Sequence, residues 1–315
     1  MPPETFLHDR SDFKALIETV AEHERIHDPA LVEKDYWIMH CLHGLKRLDL
    51  SFELKGGTSL SKGFGLIERF SEDIDIQIQP FDAVEVAMNP NHDKPQHVES
   101  RRLFFDKLQK KIQIPGITAV ERDTEYDDSR LRNAGMRLHY KSHFDAVPGL
   151  KDGILLEVGF DQTQPNQAVT ISSWVAKFAA ERKLEFTDNR AAEVLCYNPE
   201  YTLVEKLQTV VKKFGQYRET GKLSSNFMRH YYDIHQLLDV SRVQQFIGTI
   251  AYLEHKQRRF RSLDPDIRQS GAFTMDTDVR NQFEVEYKNT APLYYRGQIP
   301  LQDILARIQK DLDRL

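Results

Sequence analysis

The chain has 315 residues, of which 40% are hydrophobic and 29% charged, with 43 Lys plus Arg against 48 Asp plus Glu for a net charge of −5. That is an ordinary soluble composition with room for a large core or two domains; it excludes a collagen-like or disordered chain and argues against wholesale coating of nucleic acid. No apolar run approaches the roughly 18 residues of a membrane span, and Cys41 and Cys196 lie far apart without CxxC spacing, so neither a disulfide framework nor a cysteine zinc site is expected.

The first ten residues, MPPETFLHDR, lack the basic-then-apolar order of an export signal, which makes the cytoplasm the expected compartment, with no membrane partner. Residues 12–26 and 30–48 carry apolar positions at helical spacing: Phe13, Leu16, Ile17 and Val20, then Leu31, Trp37, Ile38, Cys41, Leu42 and Leu45. Asp28-Pro29 between them reads as a capping residue followed by a first-turn proline. Residues 51–54 read as a short strand that meets a tight turn at Gly56-Gly57 and opens a helix expected to end near Arg69. The segment 73–79 alternates Asp, Ile, Asp, Ile, Gln, Ile, Gln, a period of two that makes it a strand with Ile74, Ile76 and Ile78 on its buried face.

Residues 80–96, rich in Pro, Asn and His, read as a loop. A helix is expected over 98–112, then strands near 117–122, 132–140 and 154–160. From Pro199 onward the pattern is mostly helical, with helices expected over 201–217, 226–240, 243–256 and 301–315. No fixed-period repeat is present. The expected organisation is a mixed α/β (α+β) core with N-terminal helices over residues 1–195 and a helical C-terminal domain over 196–315.

The chemistry-bearing segment is Lys55-Gly56-Gly57-Thr58-Ser59-Leu60-Ser61-Lys62, followed by Asp73-Ile74-Asp75. Carboxylates at i and i+2 of a strand project from one face, and two such groups repel unless a cation lies between them. A hard divalent ion such as Mg²⁺ fits, because it binds through one or two carboxylates plus substrate phosphates. The free N–H groups of a helix opened by Gly56-Gly57 favour a phosphate, and Thr58 and Ser59 add hydroxyls. Each part alone is common in solvated edge strands and turns; their conjunction points to a nucleoside triphosphate held with its metal. The P-loop alternative fails at two fixed positions, since Ser61 stands where glycine and Gly63 where Ser or Thr is required.

Gly57-Thr58-Ser59 followed by Asp73-Ile74-Asp75 resembles the first motif of polymerase-β-like nucleotidyltransferases, although the 14 residues from 59 to 72 exceed the common spacing. The string KGGTSLSKGFGLIERFSEDIDI is similar to AbiEii/AbiGii-type toxin nucleotidyltransferases of bacterial abortive-infection and toxin–antitoxin systems, and Val32-Glu33-Lys34-Asp35-Tyr36-Trp37 is similar to their N-terminal helix signature. The likeness is dense over residues 31–79 and thinner to about 240.

The resemblance implies a polymerase-β-like fold in which Asp73, Asp75 and Glu157 bind metal, Glu157 standing where the superfamily usually has Asp and Asp161 being a lesser alternative. It implies catalytic roles for these three and for Lys206 and Asp233, and a nucleotide-binding set of Gly56, Gly57, Thr58, Ser59, Lys62 and Arg229. Mg²⁺, with Mn²⁺ as an alternative, and an NTP are the implied cofactors. An RNA acceptor, the tRNA 3′ end, and a helix-turn-helix antitoxin are the implied partners. The competing readings are transfer to a protein or small molecule, and a catalytically silent nucleotide- or partner-binding module.

Among lesser signals, His40/His43 and His139/His143 lack a third ligand and read as packed or exposed side chains. The stretch His255–Arg261 interleaves cations with Phe260, a pattern that suits an RNA backbone but is commoner on a solvated helix face. Arg101, Arg102, Lys107, Lys110 and Lys111 read as a second such face.

Overall fold

The computed structural model describes residues 5–315 apart from 90, 148, 162 and 225; residues 1–4 of the stretch read for an export signal lie outside the described set. Helix α1 (Phe13–Glu24) buries Phe13, Leu16, Ile17 and Val20. Helix α2 (Pro29–Arg47) starts where Asp28 Oδ1 accepts from the Ala30 amide at 2.9 Å, with Pro29 in the first turn. It is buried almost all round, Glu33, Lys34 and Asp35 included, so it is a central helix rather than an amphipathic surface one.

Strand β1 (Phe52–Lys55) leads into a three-residue α3 (Gly56–Thr58) and one π-turn over Ser59–Gly63. The helix expected to run on to Arg69 stops there, because Gly63 and Gly65 remove helix support and Gly65 takes a φ of +63°. Strand β2 (Asp73–Ile78) buries Ile74, Ile76 and Ile78. Full burial is worth about 1.5–3 kcal/mol for each isoleucine, so a one-residue slip that exchanged them for carboxylates is strongly opposed.

Helix α4 (Pro95–Lys111) packs on β3 (Ile117–Asp123), and Phe104 and Phe105 meet Phe160. Strands β4 (Asn133–Tyr140) and β5 (Ile154–Gly159) follow. Three further elements follow that the sequence reading did not assign: β6 (Asn166–Ile171), α5 (Trp174–Glu181), capped by Ser173, and β7 (Ala191–Tyr197). The seven strands among the described residues form one mixed sheet in the order β3-β4-β5-β2-β1-β7-β6, parallel at β2/β5 and β1/β7 and antiparallel elsewhere.

Beyond it lie α6 (Pro199–Thr220), α7 (Arg229–Leu238), α8 (Ser241–Phe246), α9 (Ile250–Arg259), α10 (Thr277–Asn289) and α11 (Leu301–Asp311). The single helix expected over 243–256 is broken in two at Gly248, whose φ is +85°. Among the described residues no helix is long and apolar enough to cross a membrane.

The chain divides into two units. One takes the chain up to Gly63 and Phe70–Tyr197, and contains the sheet; the other takes Phe64–Arg69 and Asn198–Leu315, and is helical. Phe64–Arg69, six of the residues between the Gly-Gly bend and β2, therefore belong to the helical unit.

Two charge patterns differ from expectation. Arg101 does not lie on a solvated face: it is fully buried and donates to the carbonyls of Ala87, Asn89, His92 and Arg130, tying the loop before α4. In the stretch 255–261, His255, Lys256 and Phe260 are buried and Lys256 donates to the Leu315 carbonyl, so that ring is not open to stacking.

Candidate active site

The pairing of β2 builds the site. Asp75 lies opposite Lys55 in antiparallel β1 and opposite Glu157 in parallel β5, and Glu157 lies opposite Gly135 in β4. Registered partners share a face, so Lys55, Asp75 and Glu157 form a row across the sheet, with Asp73 two residues along on the same side. This is the face away from the buried isoleucines, and all three carboxylates are half-buried.

The bend lies directly against this row. Gly56 has a φ of +74°, and a Cβ there would stand 2.3 Å from Asp75 Oδ2. Only glycine leaves that carboxylate its place. Thr58 Oγ1 donates to the Asp73 carbonyl, and Ser59 Oγ donates to the Gly56 carbonyl at 3.2 Å. Both residues are buried, so their hydroxyl protons stitch the bend to itself and to β2. Gly57 is buried beside them.

A cleft of about 230 Å³ opens over the row, lined by Lys55, Asp75 and Glu157 and, from the other wall, by Tyr126, Asp128 and Asn133. That wall is the turn after β3. It reaches the sheet because Gly135 has no side chain: a Cβ there would meet the Asp123 carbonyl at 2.5 Å and Tyr126 Cβ at 2.8 Å.

The acids are in excess. Burial first, then the charge of Asp75 and then that of Asp73, push the Glu157 carboxyl up to about 8, against the smaller pull of Lys151 and Lys55. Asp73 is held by Lys151, whose Nζ is 2.9 Å from each carboxylate oxygen. Burial lowers the Lys151 ammonium, but Asp73, with Glu72 and Tyr126 behind it, outweighs that, and the net shift is upward.

Among the described residues no three His, Cys, Asp or Glu side chains form a ready-made metal cage. The fit to a divalent ion rests instead on the carboxylate excess, on the space that Gly56 leaves at Asp75, and on the Lys151 ammonium already standing as a cation on Asp73. A hard ion bound through two carboxylates and substrate phosphates needs no closed cage.

The remaining predicted residues have partners of their own. Lys62 is taken up by Asp35, at 2.6 Å, over the Trp174 ring at 3.6 Å; like Asp73 and the bend residues Gly56–Ser59, it is not among the residues that line the cleft. Asp161 gives its amide to Gln77 Oε1. In the helical unit, Lys206 Nζ is 2.8 Å from Asp233 Oδ2, Asp233 is fully buried, and Arg229 opens α7 half-buried.

His40 is packed: its ring bonds the Pro115 carbonyl and the Asn189 side chain, and burial pushes its pKa down to about 3. Sequence reasoning quoted Lys55 in the motif without giving it a role, and it missed Tyr126 and Lys151, which carry no spacing signal. It also gave Glu33, Lys34 and Asp35 no role. Glu33 accepts from Ser142 and His143, Lys34 donates to the Lys151 carbonyl, and Asp35 holds Lys62 and the Trp174 amide.

The comparison with curated proteins gave no match. Among solved structures, an antigenic nucleotidyltransferase-like protein from Paracoccidioides brasiliensis is similar, with 14% identity, a TM-score of 0.36, and coverage of 76% of this chain and 92% of that one. The family model described as "Nucleotidyl transferase AbiEii toxin, Type IV TA system" matches residues 42–307, taking in the bend, the Asp73–Asp75 strand and Glu157. With that match running over most of its length, the chain belongs to the AbiEii nucleotidyl transferase toxin family of type IV toxin–antitoxin systems and is a nucleotidyltransferase.

Proposed function

We propose that the chain moves a nucleotidyl group from an NTP to a hydroxyl of RNA, the tRNA 3′ end, with Mg²⁺ as its ion and Mn²⁺ as a substitute. In this reading it acts in the cytoplasm as a growth-arresting toxin restrained by a helix-turn-helix antitoxin. The observation that carries the site assignment is the row of Asp75 and Glu157 abreast, with Asp73 on the same face, against the glycine bend and under the cleft.

Asp73 and Asp75 hold the ion, with Glu157 as the third carboxylate. When bound, the ion neutralises charge that builds on the phosphoryl oxygens and on departing pyrophosphate. Gly56 and Gly57 let the bend approach the phosphates, and Lys55 supplies a positive charge at the cleft floor. Glu157, abreast of Asp75 and lining the cleft, stands where its carboxylate can take the proton of the attacking hydroxyl once a bound ion offsets the charge of its acidic neighbours. Asp233 has both oxygens engaged by Arg69 and Lys206 in a buried setting; this supports a positioning role for it, setting Lys206, rather than contact with substrate.

The test is incubation with each α-labelled NTP, Mg²⁺ and total RNA, with and without RNase. Label should appear on RNA of tRNA size and vanish in Asp73→Asn plus Asp75→Asn. Label that survives RNase assigns the acceptor to protein or small molecule instead. Transfer retained in the double variant refutes the site.

A further inference from the structure

Lys151 ends the connection between β4 and β5, and its backbone is held on both sides by buried side chains. Its amide donates to Glu72 Oε2 at 2.8 Å, and its carbonyl accepts from Lys34 Nζ. The start of the same connection is held by Glu33, which accepts from Ser142 Oγ at 2.7 Å and bonds His143 Nδ1 at 2.8 Å. Glu33 and Lys34 are neighbours on α2 and are 1% and 4% exposed. One buried helix thus pins a surface connection at both its ends, which surface loops do not ordinarily need.

What this anchoring delivers is one ammonium. Lys151 Nζ stands 2.9 Å from both oxygens of Asp73 and 4.8 Å from the centre of the ring of Tyr126, a residue that lines the cleft. The lysine is 22% and Asp73 15% exposed at the side chain, so the pair is reachable from solvent rather than sealed in the core. An ammonium that occupies both oxygens of a carboxylate competes with a divalent ion for them, since two cations on one carboxylate repel. Once displaced it needs another anion within the sweep of a flexible four-carbon stem. The polyphosphate of the substrate is that anion, and the Tyr126 face offers a cation a resting place in between.

We propose that Lys151 is an exchangeable cation: it neutralises Asp73 while the site lacks its ion, and passes to a non-bridging oxygen of the triphosphate when ion and nucleotide bind. This rests on the assignment of Asp73 and Asp75 as the ion-binding pair. It makes Lys151 a substrate-binding residue that also sets the order of loading, because the ion alone must displace it whereas ion and triphosphate together give it a new partner.

The experiment is Mn²⁺ binding to the full chain, read by electron paramagnetic resonance, with and without a non-hydrolysable NTP, for wild type, Lys151→Met, Lys151→Arg and Asp75→Asn. Without nucleotide, Lys151→Met should bind Mn²⁺ about tenfold more tightly than wild type, and its affinity for the nucleotide–Mn²⁺ complex should fall by about the same factor. Lys151→Arg should lie nearer to wild type on both measures. A structural role predicts loss of both affinities together in Lys151→Met, and that result, or unchanged Mn²⁺ binding, overturns the proposal. If wild-type Mn²⁺ binding requires Asp75 but does not respond at residue 151, only the role of Lys151 fails. If no variant binds Mn²⁺ under either condition, or Asp75→Asn binds it as wild type does, the ion-site assignment fails and this proposal with it.

Discussion

Arg69 grips Asp233 with a two-pronged ion pair, Nε 2.7 Å from Oδ1 and Nη2 2.7 Å from Oδ2, while Lys206 adds a third contact at 2.8 Å. The pair spans 164 positions of sequence inside the helical unit and is buried on both sides. Burial alone would raise the Asp233 carboxyl; Arg69 and then Lys206 outweigh it and hold that carboxyl well below the usual range.

Removing the shared anion therefore costs far more than removing one cation. Asp233→Ala leaves buried positive charge without a counterion and should lower the stability of the helical unit by about 3–5 kcal/mol. Lys206→Met keeps the Arg69 fork and should cost only about 1–2 kcal/mol. Urea unfolding followed by circular dichroism measures both. Equal losses would mean that Lys206, not Arg69, dominates the cluster.

Gly56 makes a second contrast, between stability and chemistry. In Gly56→Ala the positive φ costs about 1–2 kcal/mol, and the new methyl takes the place of Asp75 Oδ2. The thermal midpoint should drop modestly, while Mn²⁺ affinity and nucleotidyl transfer fall by about tenfold or more, because the carboxylate must rotate away. A variant with wild-type transfer and a lowered midpoint would show that the position of this oxygen is immaterial to the reaction.

The legible part of the site was the part written locally. The Asp73–Ile78 alternation fixes both the strand and the side its acids face, since the period of two is a property of one segment. That Glu157 stands abreast of Asp75 is not local: it follows from the parallel pairing of β2 with β5, which a topology chooses and no spacing announces. Lys62 and Arg101 looked like free cations because sequence shows a charge but not its partner; Asp35 lies far up the chain, and the four carbonyls around Arg101 have no sequence signature at all. Lys151 was silent for the converse reason. Its environment is assembled by Lys34, Glu72 and Asp73, from a helix and a strand remote in sequence.

The carboxylate excess should be visible as a pH dependence of stability. The Glu157 carboxyl is raised from an ordinary 4.5 to about 8, by burial first and then by Asp75 and Asp73. Between those two values the folded chain binds more protons than the unfolded one. Stability from this group is thus full below about pH 4.5, declines as pH rises, and levels off above about 8, a loss of about 2–4 kcal/mol across the window. Glu157→Gln, which cannot ionise, should flatten that decline when urea midpoints are followed from pH 5 to 8.5. A divalent ion bound among these acids favours their charged forms, so Mg²⁺ should raise the thermal midpoint of wild type more at pH 8 than at pH 5. The wild-type slope persisting in Glu157→Gln would place the titrating excess on other groups, and an equal Mg²⁺ effect at both pH values would detach the ion from this row of acids.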